Sequence, residues 1–243
     1  MNNFDKIYVI HLDHDISKKE KFLRWNQHVP FDFSFFPGVH GENDENCQSI
    51  FKDYLRKPVG YPGCSRLEQK CRRKMLKSVG QIGYLQSMMR IFMDAKQNNY
   101  KKIIIFDDDV ILHKNFNNLF SEIMKKIDTF HILRLGCSNH AINRSLHLLR
   151  QPFFKSIDCD GSFATCFSSE TFDYFLSKIP EYNCPFDSGC LRDFKREFSS
   201  AIDLTCYEFL AIADVTKSSI LKDRHLPTLA KKLHWNLDNF KMD

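Results

Sequence analysis

Three consecutive carboxylates, Asp107, Asp108 and Asp109, follow an apolar run, Ile103-Ile104-Ile105-Phe106, and precede Val110-Ile111-Leu112. The run is β-branched and aromatic and too short for a helix, so it predicts a buried strand. A buried strand that ends in acids places charge at its carboxyl edge, where open α/β sheets bind their ligands. Acids gathered there either repel one another or hold a cation, and hard divalent cations favour carboxylate oxygens. An Asp-x-Asp at a strand end suits a nucleoside diphosphate: a cation bridges the phosphate oxygens and the carboxylates hold the cation. In glycosyl transfer that diphosphate is the leaving group, and the ion stabilises the charge it develops. A solvated acidic turn is the alternative reading of the same residues.

Other site chemistries lack their signatures. The chain has no glycine loop ending in Lys-Ser/Thr, no GxGxxG, no GxSxG and no HExxH. Phosphate must then be held by metal and scattered side chains. Nine cysteines are present, none in a CxxC pair. No Cys/His cluster has zinc-ligand spacing, and the nearby pair His11 and His14 reads as ordinary surface or core. The opening MNNFDKIYVIHLDHD reads as a first strand and not as a signal peptide. Free thiols and the lack of a bilayer-length apolar run predict a cytoplasmic protein without a transmembrane segment.

The net charge is +5 over 243 residues, and its placement is uneven. Between residues 66 and 77, Arg66, Lys70, Arg72, Arg73, Lys74 and Lys77 face the single acid Glu68, so this segment alone carries the net charge of the whole chain. It is either a solvated face or a patch for an anionic ligand such as a nucleotide or an acidic acceptor. No nucleic-acid motif accompanies it, and no nucleic-acid partner is expected.

The elements that must position these residues can be read in order. Lys6 to Ile10 predicts a strand. Ser17 caps a helix to about Trp25, with Glu20 completing a capping box, and Phe33 to Phe36 predicts a second strand. This strand-helix-strand opening begins a parallel sheet, and the length allows one large α/β domain or two small ones. Pro37 to Lys77, with Pro-Gly and Gly-Tyr-Pro-Gly, is the least regular stretch. Ser78 caps a helix from about Gly80 to Gln97, whose Met88, Met89 and Met93 read as core filler. A helix is expected over 116–127, strands over 131–135, 162–167 and 208–213, an antiparallel excursion over 140–154, and a helix capped by Ser169. The tail, with Leu226, Leu229, Leu233 and Trp235, is expected to dock on the domain or on a partner. Twenty-three Phe can fill a sizeable core.

Several segments together resemble one family, the lipopolysaccharide-type glycosyltransferases that include the procollagen galactosyltransferases. Ile7-Tyr8-Val9-Ile10-His11-Leu12-Asp13 is similar to their opening VINLD strand, and Phe36-Pro37-Gly38-Val39-His40-Gly41 to their PAVDG turn. Residues 79–87, VGQIGYLQS, resemble GEIGCxxSH; Ile105 to Val110 resemble LEDDV; Gly161 to Ser168 resemble GxxAYxxS; and Pro185-Phe186-Asp187 resembles PVD. The order and spacing run through most of the chain.

The resemblance implies a single GT-A-like α/β domain, a Rossmann-type mixed sheet flanked by helices with a strand-end DxD, its tail from about 223 to 243 docked on it. It implies a nucleotide-sugar donor, a UDP-sugar, a glycan or glycoprotein acceptor, inversion at the anomeric carbon, and Mn²⁺ or Mg²⁺. Asp109 would ligate the metal, and Asp107 would meet the ribose or a metal-bound water. Asp108 would be a supporting acid at the donor. His11, Leu12 and Asp13 would lie near base and ribose, and Gln81 and Ser87 would approach the nucleotide. Asp187 would be the general base, with Asp158 and Asp160 as rivals, and Asp214 a late metal or phosphate contact. The chain departs from the family at His11 for Asn, Gln81 for Glu and Met88 for His. Two other classes stay open on the acids alone: a metal-dependent phosphoryl or nucleotidyl transferase or nuclease, which would want a further acid pair, and a non-catalytic basic binding module.

Overall fold

The computed structural model describes residues 4–138, 151–156, 159–216 and 224–241. In chain order these form β1 (Lys6–His11), α1 (Ile16–Asn26), β2 (Ser34–Pro37), α2 (Glu45–Arg56), α3 (Arg66–Cys71), α4 (Val79–Gln97), β3 (Lys102–Asp107) and β4 (Val110–Leu112). They continue with α5 (Phe116–Lys126), β5 (Ile132–Arg134), β6 (Phe153–Lys155), β7 (Ala164–Ser168), α6 (Phe172–Lys178), α7 (Leu191–Glu197), β8 (Asp203–Cys206), β9 (Ala211–Ala213) and α8 (Leu226–Leu233).

Seven strands make one sheet in the order β2-β1-β3-β7-β5-β8-β6, and β4 pairs with β9 in a separate ribbon. The sheet is mixed. β1 runs parallel to β2 and β3, and β5 parallel to β8, whereas β7 runs against β3 and β5 and β6 against β8. The α/β expectation is met, down to the parallel strand-helix-strand opening. Strand β3 is paired on both sides, with Ile104 opposite Ile7 on β1 and Cys166 on β7.

Alternation along the strands feeds two cores, one on each face of the sheet. Val9, Ile104 and Phe106 pack with Phe22, Phe116 and Phe120 from α1 and α5. Tyr8, Ile103 and Ile105 pack with Leu85, Phe92 and Phe175 from α4 and α6. Covered on both faces, β3 reads as a continuous apolar run and not as an alternating one.

Three local expectations change. The cap of α1 is Asp15, whose carboxylate accepts from Lys18 N at 3.4 Å; Ser17 lies in the first turn and donates to Asp15 Oδ1 at 3.1 Å. An ionised carboxylate at a helix N-terminus is favoured by the helix dipole as well as by the hydrogen bond. At α4, Ser78 takes the capping position without a side-chain bond, and Gln81 Oε1 accepts from Lys77 N at 2.5 Å in its stead. Of the three methionines, Met88 is buried but Met93 is exposed. The excursion over 140–154 lies largely outside the described residues, and its end forms β6.

The stretch from Pro37 to Lys77 is more regular than expected. α2, capped by Asp44 on Cys47 N at 2.8 Å, places Cys47, Ile50, Phe51 and Tyr54 at helical spacing against the α4 side core. Glu68 is fully buried and organises the chain around it. Tyr54 Oη donates to it at 2.7 Å and accepts from Met75 N at 2.7 Å, and Lys74 Nζ lies 3.3 Å from Glu68 Oε1. A buried carboxylate needs such pairing, because desolvation of an uncompensated charge is costly.

Helix α4 is drawn against the turn after β2. A Cβ on Gly83 would lie 2.4 Å from Val39 O and 2.8 Å from Gly41 N, and one on Gly41 would lie 2.3 Å from Val79 O. Ser87 completes the clamp, accepting from Val39 N and donating to Gly83 O, each at 2.8 Å. Gly83→Ala is expected to destabilise the fold by about 2 kcal/mol, the cost of overpacking against backbone that cannot yield. Urea unfolding checks it, and an unchanged midpoint would show that the clamp gives way freely.

Candidate active site

The end of β3 is pinned on both sides of the acidic triplet. Asp107 N donates to Phe163 O at 2.8 Å, and Asp214 N donates to Asp109 O at 2.8 Å. Between these anchors the chain turns into β4, and the three carboxylates take separate directions.

Asp107 accepts from Tyr84 Oη at 3.1 Å, and Tyr84 Oη also lies 2.9 Å from Ser162 Oγ. Asp108 Oδ2 accepts from His11 Nδ1 at 2.8 Å, with Lys18 Nζ at 4.0 Å from its other oxygen. Asp109 has a buried oxygen, Oδ1, with no hydrogen-bond partner. The electrostatics follow from this crowding. Burial, then the Asp108 charge, pushes Asp107 up to about 7. Burial, Asp107 and Asp108 drive Asp109 well above the usual carboxylate range. Burial also raises Asp108, against the opposing pull of His11 and Lys18. Tyr84, raised by burial and by Asp107, stays a phenol and so a donor.

A cavity of about 310 Å³ opens in front of the triplet. Asp107, Asp108 and Asp109 form its floor with Leu12 and Lys18; the 38–42 turn and Gly80, Gln81, Tyr84 and Ser87 form one wall. The lining also includes Ser138, Gly161, Ser162, Phe163 and the Pro185-Phe186-Asp187 turn, with Arg224, Leu229 and Trp235 from the tail. Trp235 Nε1 donates to Cys137 O at 3.0 Å, and the Trp235 ring meets Phe163 edge-on.

Seven of the residues singled out from the sequence therefore line one cavity: Leu12, Gln81, Ser87, Asp107, Asp108, Asp109 and Asp187. Their polar groups are not equally available, since the Ser87 hydroxyl is engaged by backbone and Gln81 Oε1 faces Lys77 N. Asp187 Oδ1 accepts from Ser188 N at 2.6 Å and Oδ2 from Gly161 N at 3.2 Å. Gly161 has φ +92°, a conformation glycine adopts without strain, which aims its N–H at Asp187.

Three of the remaining residues lie off the cavity wall. His11 is buried behind the triplet, bonded to Asp108 and edge-on to Phe35. Asp13 is exposed. Asp214 is held by Lys21 Nζ at 2.7 Å and Thr216 Oγ1 at 2.6 Å; burial opposes them, but these bonds keep its carboxyl below the usual range. Asp160 is paired with Arg192 at 2.5 Å, and Asp158 lies outside the described residues.

Sequence reasoning missed Tyr84, Ser162, Lys18 and Arg224. Tyr84 stands three residues after Gln81, so a helix argument could have placed both on one face. Lys18 stands three residues after Asp15 in the first turn of α1. Arg224 and Ser162 reach the site through tertiary structure alone.

The donor set fits a divalent cation held partly by its ligand. Among the described residues no three His, Cys, Asp or Glu side chains converge into a ready-made cage. The orphaned Asp109 oxygen and the raised neighbours nevertheless form a site that a cation would relieve. One or two carboxylates with phosphates completing the shell is the usual way Mg²⁺ is bound.

The chain is thus a mixed sheet flanked by helices, with carboxylates around a cavity at the end of β3. Residues 4–179 match the model of glycosyltransferase family 25 (LPS biosynthesis protein). The chain belongs to that family. Among solved structures it is similar to a glycosyltransferase involved in the glycosylation of the major capsid of PBCV-1, at 10% identity and TM-score 0.35, over 73% of this chain and 66% of that one, just under two thirds. It is also similar to mouse xyloside xylosyltransferase 1 in its apo form, at 12% identity and TM-score 0.39, over 81% of this chain and 82% of that one. No curated protein sequence matches it. No helix among the described residues is long and apolar enough to cross a membrane.

The raised acids have a pH signature. Asp107 binds its proton more tightly folded than unfolded, so the stability it confers is complete below the unfolded value and is lost as pH rises towards about 7. In metal-free buffer, urea midpoints of the protein are expected to fall between about pH 4 and about pH 7, with a shallower fall in Asp107→Asn. Equal slopes would place the titration elsewhere.

Proposed function

We propose that the chain moves a sugar from a nucleoside-diphosphate sugar, a UDP-sugar, to a hydroxyl of a glycan or glycoprotein acceptor, with inversion and with Mn²⁺ or Mg²⁺. The observation that carries this reading is the orphaned, buried oxygen of Asp109, beside raised Asp107, in the same cavity as Asp187. Bound at the triplet, a divalent ion would neutralise the diphosphate and ease its departure.

The residues divide the rest. Asp109 would hold the ion, and Asp107, its orientation fixed by Tyr84, would meet the donor ribose or a water at the ion. Asp108, locked by His11, keeps a third charge at the site without swinging into the cavity. Lys18 and Arg224, on the cavity wall, offer positive charge to the diphosphate. Gln81 and Leu12 border the nucleotide. Asp214 supports the triplet from behind, through its backbone bond to Asp109.

Asp187 lines the same cavity as the triplet and is oriented by two backbone N–H groups. As general base it takes the proton of the acceptor hydroxyl while that oxygen forms the new bond to the anomeric carbon. The bond from the anomeric carbon to the diphosphate breaks, its electron pair leaving with the phosphate. Attack from the face opposite the leaving group inverts the centre. Asp160, paired with Arg192 and off the cavity wall, is the weaker candidate for this proton.

Thermal shift with a nucleoside diphosphate and Mn²⁺ tests the donor side. Stabilisation is expected for the protein and its loss for Asp109→Asn; a variant stabilised as well as the parent would remove Asp109 as ligand. Asp187→Asn is expected to keep that stabilisation and lower transfer by about 10³-fold, within the range of general-base removal. Unchanged turnover would exclude Asp187 as the base.

A further inference from the structure

The basic segment lies at the cavity's edge. Arg66, Lys70, Arg72, Arg73 and Lys77 are exposed, and among the described residues none of them forms an ion pair with an acid. The one acid of the segment, Glu68, is buried and matched by Lys74, so it neutralises none of the other five. Like charges crowded in one exposed segment repel, and an anion shared among them would relieve that repulsion.

Both ends of the segment are tied to the cavity. At the start, Gly63 O accepts from Asn183 Nδ2 at 3.3 Å, two residues before the Pro185-Phe186-Asp187 turn. At the end, Lys77 N donates to Gln81 Oε1 on the cavity wall. The nearest acid at the first tie, Glu181, is already engaged by Lys178 at 3.2 Å and Asn183 Nδ2 at 2.8 Å. The segment that carries the charge therefore runs from beside the turn that carries Asp187 to Gln81 on the cavity wall.

We propose that this strip is an acceptor-binding surface for an anionic glycan, one whose phosphate or carboxylate groups dock on Arg66, Lys70, Arg72, Arg73 and Lys77 while a hydroxyl enters the cavity beside Asp187. The proposal rests on the assignment of the cavity to sugar transfer and adds the chemistry of the acceptor. Arginine forks suit either anion bidentately, and lysines add point charge. The binding energy is electrostatic and lies outside the reacting centre, so it acts on acceptor affinity and not on the donor.

The test uses the full chain and calorimetric titration with four probes: a phosphorylated oligomannoside, an oligogalacturonide, a neutral malto-oligosaccharide and a single-stranded oligonucleotide. A fifth arm measures sedimentation with phosphatidylserine vesicles. At least one anionic oligosaccharide should bind at least about tenfold more tightly than the neutral one, and weaken steeply between about 0.05 M and about 0.3 M salt. The two anionic arms distinguish phosphate from carboxylate. The triple variant Arg66→Gln, Lys70→Gln, Arg73→Gln should lose about tenfold in affinity, whereas Arg66→Lys with Arg73→Lys, a charge-conserving control for folding, should lose less than the triple variant.

Equal binding of neutral and anionic sugars, no binding of either anionic sugar, unchanged affinity in the triple variant, or tighter binding of oligonucleotide or vesicles would overturn the proposal. Thermal shift with a nucleoside diphosphate and Mn²⁺ on the same proteins separates the two readings. If the diphosphate stabilises the protein and no anionic sugar binds, the acceptor strip alone is wrong. If the diphosphate does not, the donor assignment fails, and the sugar titrations still decide what the strip binds.

Discussion

The arrangement depends on one constraint: a strand buried on both faces and paired on both edges delivers three carboxylates to its end. β3 cannot shift its register without moving Ile103 and Ile105 into the opposite core. The acids therefore stay where the strand leaves them, and the surroundings must accommodate them. Tyr84 and His11 each satisfy one, Lys18 offsets part of the charge, and two backbone bonds fix the turn. Asp109 is left with an unpartnered buried oxygen. Native structures rarely keep such a group without a use for it.

The accommodation in turn requires α4 to lie close to the sheet edge. Tyr84 reaches Asp107 only because Gly83 and Gly41 let the helix and the 38–41 turn meet at backbone distance. Ser87 ties the same two elements with two hydrogen bonds. The expectation that Ser87 approaches the nucleotide and this clamping role concern the same hydroxyl. A buried hydroxyl with both bonds made to backbone serves chiefly to hold the wall in place.

Much of this was legible from local pattern. α4 announces itself by apolar period, β1, β2 and β3 by short apolar runs, and the acids by their place after β3. α2 was harder, because charged residues dilute the spacing of Cys47, Ile50, Phe51 and Tyr54. β8 gave no signal, since its Asp203 and Thr205 look like surface residues. Asp203 is buried because Arg134 on the neighbouring β5 meets it, Nη2 to Oδ2 at 2.9 Å, a pairing across 69 positions of sequence. The basic segment illustrates the same limit. Its charges can be counted in the sequence, but only the fold decides that Lys74 turns in to Glu68 and the other five remain outside.

The cavity has two halves of different provenance. The triplet, Gln81 and Tyr84 fall within the residues matched to the family, which end at 179, and Asp187, Arg224 and Trp235 lie beyond them. Beside the β4–β9, β5–β8 and β6–β8 pairings, the contacts that join the halves at the cavity include Gly161 N to Asp187, Trp235 Nε1 to Cys137 O, and Asp214 N to Asp109 O. Each uses a backbone group on at least one side. Backbone contacts fix distance while leaving nearby side chains free to vary, so the spacing between the triplet and Asp187 can persist while other side chains of the cavity wall change.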